Sequence, residues 1–361
     1  MKSFLKKLTS NQIFIPCAAL LLLALFNLIA DPSFFKVTLD HNSDGNPVLN
    51  GFLINILDNG SELAILAIGM TLVTAASGGQ DISVGAGIAI AGSVILRVLC
   101  GGNSRPESLQ TSLIVAFIIA ILVSMAFSAF NGILVAYFKI QPMVATLILF
   151  TAGRSIAAWI NQNELPIISS SCDKSFAYWG TYIPGIPIPT PVFIAIICVI
   201  VIMLVLKFTN LKLYTQAVGI NAKSSRLNGL NPELIKVIAF VILGICVAIC
   251  GLIKVSRFQT INYSVVAKDI EMDAILAVAL GGNALSGGKF NMWGSILGAY
   301  VIQFLTTTLY KLEVSSDALP AYKAVVVILL VVTSAPVVRE KLSKVFKKKA
   351  KATKSEGGAA A

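Results

Sequence analysis

Apolar runs long enough to cross a lipid bilayer recur along almost the whole chain, and this limits the possible folds more than any other feature. A crossing helix needs about 20 largely apolar residues, and every backbone polar group inside the bilayer must be satisfied internally. Runs lie near 13–30, 62–77, 82–100, 111–137, 143–160, 190–207, 236–256, 272–282, 292–310 and 319–336. They predict an all-α polytopic membrane protein of about ten transmembrane helices. Composition agrees: 56% of residues are apolar and 12% charged, whereas soluble chains carry about 25% charged residues. Disorder needs the opposite balance.

The runs at 62–77 and 272–282 are short and end in glycine pairs, Gly78-Gly79 and Gly281-Gly282. Glycine-broken or re-entrant helices are expected there, because irregular backbone is tolerated at membrane depth only within protein. The two also echo each other. Ala64 to Ile68 leads through Gly78-Gly79 to Ser83-Val84-Gly85, and Ala274 to Val278 leads through Gly281-Gly282 to Ser286-Gly287-Gly288. A possible internal repeat follows, and such paired segments point to the transport path in carriers built from repeats.

Lys2, Lys6 and Lys7, with eight Lys or Arg between Arg339 and Lys354, hold most of the net charge of +11. Basic ends flanking apolar spans read as cytoplasmic anchors on anionic headgroups, so a lipid bilayer and not a nucleic acid is the expected partner. The segment from Lys207 to Lys236 is basic, with Glu233 its one acid, and falls on the cytoplasmic side with both termini. The stretch from Asp31 to Glu62 is acidic and falls outside. The chain divides into a basic N-terminus (1–12), a transmembrane domain (13–336) with a cytoplasmic loop at about 208–234, and a basic tail (337–361) expected to be disordered. The first run reads as an uncleaved span, because many equal runs follow it.

Enzyme chemistry finds no support. His41 is the only histidine, and Cys17, Cys198, Cys246 and Cys250 fall in apolar runs, so no catalytic residue and no metal site are expected. The stretch 282–290 imitates a phosphate-binding loop, but Phe290 follows the lysine where Ser or Thr belongs. No cofactor is expected in this chain.

Three polar features stand out. Gln80, Asp81 and Ser83 interrupt an apolar pattern beside Gly78, Gly79 and Gly85, where they could hold a hydroxyl-rich solute or where Asp81 could cap the next helix. Asn131, Gln141 and Asn291 lie in or beside spans, and Arg154 sits inside one; a wet path or a buried structural partner would each explain it. In the basic loop, Asn221 can cap a short helix ended by Gly229, and Pro232 restarts the chain. That helix suits a docking partner, and a plain connector is the alternative.

Taken together these residues carry a resemblance. Gly69-Met70-Thr71, Ser77 to Gly85, Asn131-Gly132, Pro142 to Leu147, Arg154, Ala217 to Leu230 and Asp273 to Gly288, in that order, are similar to the ribose-type sugar permeases of ABC importers. The match spans roughly Glu62 to Val332. Within that family, Lys139 to Pro142 and Glu271 to Val278 look most like the galactofuranose permeases. The resemblance implies a bacterial inner-membrane permease subunit with no ATPase site of its own. Its implied partners are ATP-binding subunits that use ATP, an extracytoplasmic sugar-binding protein, and a second permease, either a copy or a related chain. It places the ATPase-coupling role on Ala217, Gly219, Asn221, Ser224, Ser225 and Gly229. Candidates for the substrate path are Gln80, Asp81, Ser83, Asn131, Arg154, Asn283 and Ser286. Gln80 departs from the family's usual apolar residue, and Ser224-Ser225 from its usual alanine pair. A stand-alone secondary transporter remains the alternative, with Asp81 as its one evident coupling acid; ribose, xylose, a nucleoside or a signalling furanose are alternatives to galactofuranose.

Overall fold

A computed structural model of the protein describes residues 13–41, 45–169 and 174–334, with side chains as far as residue 328. The expected termini at 1–12 and 337–361 lie outside the described residues. Helix α1 (Phe14–Ala30) leads through a short 3-10 turn to a hairpin of β1 (Thr38–His41) and β2 (Pro47–Asn50). Then follow α2 (Phe52–Ser77), α3 (Val84–Cys100), α4 (Leu113–Ala136), α5 (Pro142–Ile160), the single turn α6 (Lys174–Ala177) and α7 (Thr190–Phe208). Two short helices, α8 (Leu211–Ile220) and α9 (Ala222–Leu227), precede α10 (Pro232–Phe258), α11 (Ile270–Leu280), α12 (Met292–Lys311) and α13 (Leu319–Ser334).

Six of these, α2, α4, α5, α7, α10 and α12, are long and apolar enough to cross a membrane; α1, α3 and α13 are apolar but shorter. The fold is helical apart from the hairpin, whose antiparallel register pairs Thr38 with Asn50 and His41 with Pro47. The helical expectation holds, with this short hairpin the one sheet among the described residues.

The structure also corrects the reading of 62–77 as a short or re-entrant run. It is the last part of the 26-residue α2. Asp58, Asn59 and Glu62 break the apolar pattern, so the first third of the helix does not look like a span. By contrast, 272–282 corresponds to the 11-residue α11, entered from a loop and left through Gly281.

Helix α2 is central to the unit that ends at Thr308: from Gly60 to Ala76 every residue is buried. Around it pack α10, α7, α8 and α11, while α3 lies between α4, α5 and α10. Small residues make this possible. The start of α3 reads Val84-Gly85-Ala86-Gly87, and an added Cβ at Gly251 of α10 would lie 2.6 Å from Ala91 of α3. Lipid cannot drive apolar surfaces together, so helices in a bilayer associate by such close packing. The outer faces of α1, α4 and α7 expose Leu21, Ile114, Leu122, Ile197 and Phe208, a lipid-facing surface. Asn27 of α1 donates to Thr308 of α12 at 2.8 Å, tying the first helix in. Among the described residues, Leu309 to Ser334 belong to a second compact unit.

Candidate functional site

The two glycine-interrupted segments that echo each other in sequence meet at the end of α2 farthest from the hairpin. Gly78 closes α2 in the left-handed conformation (φ +68), and an added Cβ would lie 2.8 Å from the Ser286 carbonyl oxygen. Glycine answers both constraints. Beside it, the Gly288 N–H donates to the Ala75 carbonyl at 2.9 Å, and Gln80 Nε2 donates to the Leu285 carbonyl at 3.3 Å.

Gln80, Asp81, Ser83 and Asn131 come together, all fully buried. Asp81 does not cap α3 as a helix cap would; its Oδ1 accepts from the Ser83 N–H at 2.7 Å and the Ser83 hydroxyl at 2.6 Å, two residues on. Asn131 Nδ2 donates to the Ser83 Oγ at 2.8 Å, so one hydroxyl joins α4 to the linker between α2 and α3. Thr146 of α5 accepts from the Ile82 N–H at 3.1 Å. Within this otherwise paired cluster, Gln80 Oε1 and Asn131 Oδ1 have no hydrogen-bond partner. Both are acceptors, and unpaired buried acceptors call for a donor such as a water or a solute hydroxyl.

The other path candidates lie elsewhere. Asn283 Nδ2 donates to Ser295 Oγ at 2.8 Å, its Oδ1 accepts from the Asn291 N–H at 2.6 Å, and Ser295 accepts from Thr71 at 2.6 Å. This lock joins the second linker to α12 and α2. Ser286 is exposed; what faces Gly78 is its backbone carbonyl. Arg154 is a backbone clamp: Nη1 donates to the carbonyls of Tyr263, Ser264 and Val266 at 2.9, 3.2 and 3.1 Å, holding the non-helical stretch before α11. These contacts give Arg154 a structural partner, while its Nη2 is buried with no hydrogen-bond partner among the described residues.

Sequence reasoning missed a buried ion network at the hairpin end. Glu62 of α2, 1% exposed, meets Lys254 Nζ at 2.8 Å and Arg257 Nη1 at 2.7 Å of α10. Arg257 also binds Asp58 at 2.8 Å and donates to the Gly180 carbonyl at 3.1 Å. The signal was legible: acids four apart on one helix and bases three apart on another. Glu271 of α11 is buried too, with Oε2 unpartnered and packed on Gly85. Asp81 is thus not the only deep acid. Above this network opens a polar cavity of about 680 Å³ lined by residues including His41, Asn50, Tyr178, Tyr182, Arg257 and Gln259.

The segment expected to dock a partner adjoins the linker junction. Asn221 caps α9 by accepting from the Ser224 N–H at 3.0 Å, and the Ser225 hydroxyl donates back to the Asn221 carbonyl at 3.0 Å. Gly229, two residues past α9, has φ +81. Ala217 and Gly219 lie on α8, and Gly219 backs directly onto the Ala75 carbonyl and the Gly288 nitrogen. The opposite surface exposes Ile220 and Leu227, at 75% and 90%, with Lys223 and Arg226.

Apolar helices wrapped around a buried polar linker, with a short capped helix pair at one end, define the membrane component of a transport system. Residues 52–335 match the family described as branched-chain amino acid transport system / permease component, and the chain belongs to that family. Among its relatives, the galactofuranose transporter permease of Escherichia coli (strain K12) is 37% identical over 314 residues, 87% of each chain. The fructose import permease of Bifidobacterium longum (strain NCC 2705) is 34% identical over 350 residues, 96% of this chain and 94% of the relative. The ribose import permease of Escherichia coli (strain K12) is 32% identical over 316 residues, 87% and 90%. No solved structure matches the chain.

Proposed function

We propose that this chain is the permease subunit of a bacterial ABC importer that translocates a monosaccharide, and that separate ATPase subunits drive it. What carries the reading is the junction of α8, the end of α2 and the 281–291 linker, where Gly219, Ala75 and Gly288 touch. A push on the exposed face of α8 and α9 reaches the Gln80–Asp81–Ser83–Asn131 cluster through backbone contacts alone. The named sugars of three relatives, galactofuranose, fructose and ribose, support a monosaccharide over the amino acids of the family's description.

In this mechanism an extracytoplasmic binding protein delivers sugar to the hairpin side, where the polar cavity receives it. ATP closes the partner ATPases against α9, and α8 shifts the two linkers so that the path opens inward. The unpaired acceptors Gln80 Oε1 and Asn131 Oδ1 suit sugar hydroxyl hydrogens, singly and weakly, as release requires. The membrane crosses ten times in this reading, α11 and its preceding loop making one crossing, and both termini are cytoplasmic. A second permease completes the pore. The test is sugar-stimulated ATP hydrolysis and uptake by the reconstituted complex carrying Leu227→Asp on the exposed face of α9: loss of both with normal folding of the permease is expected, and persistence of both rejects the coupling role.

A further inference from the structure

A groove of about 490 Å³ lies where α7 ends and α12 begins, and nothing in the transport reading uses it. Its walls are apolar, with Ile200, Met203 and Leu204 of α7 facing Met292 and Trp293 of α12. Its mouth holds two cations, Lys207 on the last turn of α7 and Lys212 on α8. Neither lysine forms an ion pair among the described residues, and no acid lines the groove. Glu233, the one acid between Lys207 and Lys236, pairs with Arg226. Lys212 Nζ instead sits 5.9 Å from the Phe290 ring centre.

We propose that this groove binds an anionic phospholipid, with the phosphate between Lys207 and Lys212 and an acyl chain along Ile200, Leu204 and Trp293. Three observations select that occupant. The groove is continuous with a lipid-facing surface, since Ile197, Ile200, Val201 and Phe208 are 46–77% exposed. Apolar walls below an unpaired cationic mouth match an amphiphile with a negative head, and a zwitterionic head would set its own cation against the two lysines. Two lysines with apolar stems at a helix end are placed to reach the headgroup level. The groove also touches what the transport cycle moves: Lys212 belongs to α8, and Phe290 and Asn291 to the second linker. A seated lipid therefore braces the junction from its outer side. This rests on the membrane reading alone and not on the sugar or the ATPase.

Trp293, half exposed at 50%, supplies the probe. In a Trp159→Phe, Trp179→Phe background it becomes the only tryptophan of the three in the full chain. The chain is reconstituted in nanodiscs whose acyl chains are brominated on phosphatidylglycerol or on phosphatidylcholine. Stronger quenching by brominated phosphatidylglycerol is expected. K207Q/K212Q should weaken that preference about thirtyfold, roughly fivefold per lysine, while K207R/K212R keeps it. Equal quenching by the two lipids overturns the proposal, as does a preference that survives K207Q/K212Q. Loss of the preference on adding inorganic phosphate shows a plain anion site and also overturns it. So does crosslinking of the Leu204→Cys variant to a second protein chain in the native membrane.

Discussion

Glu62 holds two cations at once, which makes its substitution costly. Glu62→Ala leaves Lys254 without its anion and Arg257 with Asp58 alone. Breaking a buried ion pair from one side costs about 3–5 kcal/mol. The thermal midpoint of the detergent-solubilised protein is expected to fall sharply, and Lys254→Ala, which leaves the Glu62–Arg257 contact in place, should cost less. Asn131→Ala is of a different kind. It removes a donor to Ser83 and an unpaired acceptor together, so uptake is expected to drop about tenfold, the effect of one lost hydrogen bond of roughly 1.4 kcal/mol, with little change in membrane abundance. An unchanged uptake rate would remove Asn131 from the path. Arg154→Ala should lower stability, measured as a fall in the thermal midpoint, since it removes the Nη1 donor that holds the carbonyls of Tyr263, Ser264 and Val266.

Among the elements, α9 is the cleanest place to separate folding from coupling. Asn221→Ala removes its cap, worth about 1 kcal/mol, and Asn221→Asp keeps an acceptor for the Ser224 N–H. Sugar-stimulated ATP hydrolysis is expected to fall in the first variant and persist in the second. The cap and the Pro232 restart were readable because each rests on one residue type at one spacing. The apolar helices were readable for the same reason: α4, α5, α7 and α12 begin and end within a few residues of their runs. The first third of α2 was not, because its acids are paired across 190 residues of chain and a local window sees only charge. The hairpin carried a turn signal, Asp44-Gly45, that charge counting passed over. The site divided likewise. Gln80, Asp81 and Ser83 were adjacent in sequence and stayed together, and Asn131 joined them through one hydroxyl. Arg154, Asn283 and Ser286 looked similar as polar intrusions, yet their roles depend on which backbone groups the fold brings near.

At the scale of the whole molecule, exposed apolar surface on α1, α4 and α7 is continuous enough to need lipid or another membrane chain over much of its extent. Extraction from native membranes in a mild detergent is expected to recover the chain with an ATPase and a second permease. Recovery alone, under conditions that preserve a known importer complex, would favour a stand-alone carrier.

The Glu62 network also sets an order of events during synthesis. The ribosome delivers Asp58 and Glu62 nearly 200 residues before Lys254 and Arg257 exist. At about 5–20 residues per second the wait is roughly 10 to 40 seconds. Throughout it, Asp58 and Glu62 lack the two cations that pair with them in the finished fold. The ion pairs that fix the start of α2 therefore form only once α10 has been made, so this end of the helix is completed late.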